Sequence, residues 1–311
     1  MPEHKQEPIY HLLGVPLRTG SLYPGSENDA QPYRDTHLLR RLESVGCRVF
    51  DEGDVPIPSY LPHHSIPPIR NWPGPRIAWD CVGEYVAPYL QQPGHIPLII
   101  GADCSIVVGT AHALMRVYGE GVHILYVDGH IDGVAPNPER CSSAAMMALW
   151  LTTQDSPFRD GPTLNPSQVT VIGWSDDQHS VSMGLQSLPL SEVRRLGPSA
   201  CARQALQVIP AEAPILLHFD IDVLNKQEMP ASYFPPADGM SMAEVRELLG
   251  MILADARVRI IEVTEYSSLR DLDQTFVSKI NEILATGQRY SIEQAVSDQA
   301  QLHTIAFSGL G

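Results

Sequence analysis

Residues 122–132 read VHILYVDGHID: an almost continuously apolar run, 122–127, is followed at once by Asp128, His130 and Asp132, three ionisable residues spaced by two. A short apolar run without polar alternation marks a strand buried on both faces, and such strands belong to parallel sheets covered by helices. In extended chain, side chains two apart point the same way, so Asp128, His130 and Asp132 fall on one side at the strand's carboxyl end. Open α/β sheets take their ligands at that edge.

Outward from this stretch the same pattern recurs. Further apolar runs lie at 11–17, 97–100, 169–174, 214–219 and 258–263, and stretches of amphipathic, helical length lie at 33–45, 77–90, 105–117, 191–208, 242–255 and 272–285. Strand alternating with helix predicts an α/β fold with a mainly parallel sheet. The Pro-rich stretch 55–75 reads as a long surface loop, because an apolar strand pattern resumes after it. Residues 290–311 carry no firm signal. A chain of 311 residues is long enough for one large α/β core, so one domain over 1–311 is the expectation.

The 214–219 run ends as the first one does, in Asp220 and Asp222. Two buried strands bringing four carboxylates to one sheet edge would meet severe repulsion and desolvation unless cations neutralised them. A single Asp at a strand end reads most simply as a cap or turn former; the joint pattern, with His130, points to metal. Carboxylates that outnumber imidazole suit a hard cation, Mn²⁺ first, with Co²⁺, Ni²⁺ or Zn²⁺ as lesser alternatives and Mg²⁺ disfavoured by the histidine.

The net charge of −15 argues against nucleic acid or an anionic membrane as partner and suits a small cationic substrate. The first ten residues have neither the apolar core of a secretion signal nor a spanning helix, so a cytoplasmic enzyme is expected. Cys47, Cys81, Cys104, Cys141 and Cys201 show no CxxC spacing and read as reduced thiols.

With Gly101-Ala102-Asp103-Cys104-Ser105, the DxHxD element at 128–132 and the FDxD element at 219–222, the chain resembles the arginases, agmatinases and their relatives, the ureohydrolase superfamily, over roughly residues 11–284. The resemblance implies a three-layer α/β/α sandwich, a bridged Mn²⁺ pair, and hydrolysis of a guanidino compound by a hydroxide between the ions, with urea the usual product. It implies that Asp128 and Asp220 bridge the ions, that Asp132 completes one site, and that His130 with Asp222 completes the other. It also implies a homo-oligomer. Position 104 departs from the family, which carries a metal-ligating His there. Three readings stay open for Cys104: a thiolate ligand, a weak or empty site, or a buried thiol in a degenerate enzyme. A Cys here, with residues 126–130, 223–224, 229–231 and 238–240, resembles the N-hydroxy-arginine amidinohydrolase branch, which releases hydroxyurea and ornithine.

On the substrate side, Glu262 in Ile261-Glu262-Val263-Thr264 resembles the family's Glu that pairs with the guanidinium. The loop 133–143 is expected to shape the pocket. It lacks the family's Asn, replaced by Val134, and its downstream His-Gly pair, replaced by Ala144-Ala145 or Ala145-Met146, so ordinary arginase specificity is not implied. Arg140 reads as a carboxylate contact or as a solvated side chain, and Asp176 and Asp177 fall in the family's substrate-contact region. Asp132 is expected to move the proton from the attacking water to the leaving amine. His112, His123, His179 and His218 read as core or surface residues, with His218, next to the second motif, the candidate for a supporting contact. Two rivals remain: an amide hydrolase of the deacetylase type, with one Zn²⁺ and a His pair, and an inert arginase-like scaffold with a binding or regulatory role.

Overall fold

The computed structural model describes residues 8–23, 25, 27–58, 61–175 and 183–288. The expectations for Asp176, Asp177 and His179 lie outside the described residues. Among the described residues no helix is long and apolar enough to cross a membrane.

All six apolar runs are strands: β1 (Ile9–Val15), β3 (His95–Gly101), β4 (His123–Val127), β5 (Val169–Ile172), β7 (Ile215–Asp220) and β8 (Val258–Thr264). Two further strands, β2 (Arg48–Asp54) and β6 (Gln186–Leu188), stand at the sheet's edges. Solvent on one side lets them be polar, which is why they carry no apolar signal. The order is β2-β1-β3-β8-β7-β4-β5-β6, and every strand pairing is parallel.

Alternate strand residues feed two cores. Leu125 and Val127 of β4 and Leu217 and Phe219 of β7 join one; Ile124 and Tyr126 of β4 and Leu216 of β7 join the other. The first core is closed by α2 (Leu38–Ser44), α7 (Pro198–Gln207), α8 (Met242–Leu253) and a helix over 275–288. The second is closed by α3 (Gly74–Leu90), α4 (Val107–Tyr118) and α5 (Ala148–Thr153). The result is the expected α/β/α sandwich.

Two expected helices are each broken in two. The 33–45 stretch divides into α1 (Gln31–Asp35) and α2 at His37, whose φ is 67°; the 191–208 stretch divides into α6 (Leu190–Leu196) and α7 at Gly197, with φ of 86° and Pro198 behind it. Both breaks are left-handed residues, and helical periodicity alone does not reveal them.

β3, β8, β7 and β4 are consecutive neighbours at the centre. After β3 the chain jumps to β4, leaving a gap that β7 and β8 fill later. Such a reversal of strand order opens a crevice at the carboxyl ends.

Candidate metal centre

Each motif folds into a tight turn at a central strand end, and its aspartates make the turn. Asp128 Oδ1 accepts the His130 amide at 2.5 Å, and Asp220 Oδ1 accepts the Asp222 amide at 2.7 Å, capping the single turn Ile221–Val223. Asp222 Oδ1 accepts the Gly129 amide at 3.2 Å, which ties the two motifs together. Position 129 must be glycine, because a Cβ would stand 2.6 Å from the Asp222 carbonyl oxygen. In the first motif Asp103 accepts the Ser105 amide at 3.1 Å and caps Cys104–Ile106.

Asp128, Asp220 and Asp222 are therefore turn formers through one oxygen each. The other oxygens converge: Asp220 Oδ2 lies 2.7 Å from Cys104 Sγ, Asp128 Oδ2 lies 4.0 Å from the same sulfur, and Asp222 Oδ2 lies 3.0 Å from His130 Nδ1.

Two sets of donor atoms, each within 4.8 Å of one another, result: Cys104, Asp128, His218 and Asp220 in one, and Asp128, His130 and Asp222 in the other. Asp128 is common to both. Asp132 belongs to neither set; its Oδ2 accepts the Tyr126 hydroxyl at 2.8 Å beside them, and its backbone is left-handed, φ 49°.

Glu262 is level with His218, while Thr264, two residues on, is level with Asp220, so Glu262 sits one pleat, about 6.6 Å, below the strand ends. It is fully buried and its Oε2 meets His218 Nδ1 at 2.8 Å. The register thus sets the residue expected to meet the substrate against His218, below the turn that carries Asp220 and Asp222.

Sequence reading passed over Glu265 altogether. It follows β8 in a left-handed conformation, φ 62°, is buried, and its Oε1 accepts the Cys104 amide at 3.4 Å. No spacing rule marked it, because its approach to the centre depends on the turn after β8. For His218 a signal existed: His218, Asp220 and Asp222 repeat the i, i+2 spacing of Asp128, His130 and Asp132.

The electrostatics follow from crowding anions in a dry place. Burial, then Asp222, pushes the Asp128 carboxyl up to about 6; burial, then Asp128, pushes Asp132 up to about 7. Burial, then Asp222 and Asp128, holds Asp220 well above the carboxylate range, and burial, then Asp103, does the same to Glu265. Burial, then Asp220, raises the Cys104 thiol, so a thiolate there needs a cation beside it. Desolvation of His130 opposes its charge, yet Asp222 and Asp128 outweigh it and raise its proton affinity. The buried Glu262 Oε1 and Glu265 Oε2 have no hydrogen-bond partner. A cluster of this kind fits divalent cations: shared carboxylates, imidazole at the rim and uncompensated buried oxygens.

Beside the centre opens a pocket of about 780 Å³ with His130 in its wall. Its other walls come from the Pro-rich turn that includes Pro230, Phe234 and Pro235, with Lys226 and Arg270 as its cations. Residues 133–143, expected to shape the substrate pocket, do not line this cavity. Ser142 of that loop bridges Ile69, and Arg140 is exposed on it.

A parallel α/β/α sandwich with a carboxylate-rich candidate metal centre at the strand-order reversal defines a class of metal-dependent enzymes. The Arginase family model matches residues 9–286, and the chain belongs to the arginase family of hydrolases. It is 21% identical to the arginase of Bacillus subtilis (strain 168) over 271 residues, covering 84% of this chain and 90% of that protein. Human arginase-1 is 25% identical over 251 residues, covering 75% and 77%. The solved arginase of Bacillus caldovelox superposes with a TM-score of 0.78 at 20% identity, covering 91% of this chain and 98% of that one.

Proposed function

We propose that this chain hydrolyses a guanidino or N-hydroxyguanidino compound, releasing urea or hydroxyurea and an amine. The observation that carries the reading is Asp128, shared by two sets of donor atoms, one of which has its His130 in the wall of an open pocket. Two divalent cations, Mn²⁺ by the oxygen-rich donors, would when bound lower the pKa of a water between them and offset charge on the substrate carbon's tetrahedral form.

Asp128 and Asp220 would bridge the pair, His130 and Asp222 would complete one site, and Cys104 with Asp132 the other. Asp132 has a second task. Its Oδ2 accepts the Tyr126 hydroxyl, which would orient the carboxylate to take a proton from water and deliver it to the leaving amine. Glu262 and Glu265 each keep one buried oxygen without a partner; Glu262 is the residue the family resemblance names for the cationic group, and Glu265, which accepts the Cys104 amide at the end of β8, is the second carboxylate we assign to it.

Lys226 and Arg270 in the pocket wall oppose the acidic centre and suit a carboxylate at the substrate's far end, which favours a guanidino acid over agmatine. The apolar Pro230 and Phe234 would pack on the chain between. The test is a screen of arginine, N-hydroxy-arginine, agmatine and other guanidino acids for urea or hydroxyurea release with Mn²⁺ supplied, alongside metal content. Two ions per chain with turnover supports the hydrolase. One Zn²⁺ would favour the deacetylase type, and no ion the inert scaffold.

A further inference from the structure

His218 has no task in the reading above, although it lies within donor distance of Cys104, Asp128 and Asp220. We propose that His218 supplies the imidazole of the Cys104-side ion, in place of the histidine the family carries at position 104, with Glu262 as its positioning residue. The proposal rests on the dinuclear reading and adds a ligand to it.

The register builds the arrangement. Tyr126, His218 and Glu262 are lateral neighbours on β4, β7 and β8, all on the sheet face that carries Asp220. The His218 ring stacks on Tyr126 with centroids 4.2 Å apart and planes 3° from parallel. Its Nδ1 lies 2.8 Å from Glu262 Oε2, and its Nε2 lies 3.3 Å from Thr264 Oγ1. Thr264 Oγ1 in turn stands 3.7 Å from Cys104 Sγ. A carboxylate on Nδ1 selects the tautomer with the proton there, which leaves the Nε2 lone pair on the side of Thr264 and Cys104.

A carboxylate behind a histidine whose other nitrogen faces a donor cluster is the arrangement that orients ligating imidazoles. The cost of burying the pair is otherwise unexplained: both side chains are completely enclosed, Glu262 has the apolar Ile99 as its other lateral neighbour, and its Oε1 has no partner. Buried polar pairs of this kind add little stability over apolar packing. A sulfur and a nitrogen on one ion, against a nitrogen and carboxylates on the other, also make the two sites unlike. The Cys104 side would be the softer and would prefer Co²⁺ or Zn²⁺ more than its neighbour does.

The test uses the full chain, stripped of metal and titrated with Co²⁺. X-ray absorption of the wild type loaded with two Co²⁺ should count two imidazoles and one thiolate per pair, with a sulfur-to-cobalt charge-transfer band. His218→Gln and Glu262→Gln should bind one ion as the wild type does and the thiolate-side ion about 10–100-fold more weakly. One imidazole per pair in the wild type, or undiminished binding of both ions by a folded His218→Gln, overturns the proposal while leaving the hydrolase reading intact. A wild type that binds no ion overturns both. Should His218→Gln fail to fold, the absorption count on the wild type decides alone.

Discussion

Asp128, Asp220 and Asp222 each give one oxygen to a backbone amide and keep the other for the centre, so turn formation and ligand display are one device. This makes substitutions at neighbouring small residues informative. Gly129→Ala would push a methyl group against the Asp222 carbonyl, 2.6 Å away, and is expected to cost about 1–3 kcal/mol in urea unfolding and to weaken metal binding, since the two motifs must part. An unchanged metal affinity would show that they need not touch. Asp132→Asn keeps the shape and still accepts from Tyr126, but it cannot carry a proton. We expect kcat to fall about 10²–10⁴-fold with the fold retained; normal turnover by a folded, metal-loaded variant removes Asp132 from proton transfer. Lys226→Ala should raise KM for a guanidino acid and leave that for agmatine unchanged, and an equal effect on both would exclude Lys226 from carboxylate recognition.

At the scale of elements, β7 has two faces with separate duties. Leu217 and Phe219 enter one core, while His218 and Asp220 face the site. Phe219→Ala, at a fully buried position, is expected to lose about 3–5 kcal/mol by unfolding measurements. A loss below about 1 kcal/mol would mean that β7 is not anchored through this face. The strands buried on both faces were legible because burial on both faces demands apolar residues throughout. The edge strands β2 and β6 were not, because only pairing makes them strands, and pairing is not local. The breaks at His37 and Gly197 were equally hidden, since a single left-handed residue leaves the apolar period almost intact.

Across the whole molecule, the excess of acidic residues concentrates its consequences at the centre. In the metal-free protein Asp128 rises from 3.8 to about 6 and Asp132 from 3.8 to about 7, so the folded chain holds these protons more tightly than the unfolded one. For carboxyls raised in this way the burden on stability is absent below 3.8, grows as pH climbs to about 7, and is complete above it. Divalent cations replace the protons. The rise in melting temperature on adding Mn²⁺ should therefore be small at pH 5 and large at pH 8; a rise independent of pH would show that no proton is displaced.

The sequence by itself determined the sandwich, its central strands and the ionisable residues at their ends, because burial and two-residue periodicity are written in consecutive residues. The departure at Cys104 was legible too, as a residue out of place in a motif. Lateral register was decided only in three dimensions. It lowered Glu262 by one pleat onto His218, while the left-handed turn after β8 brought Glu265 to the Cys104 amide. Which side chains become neighbours across parallel strands depends on how far each strand slides along the next, and no stretch of a single strand contains that distance.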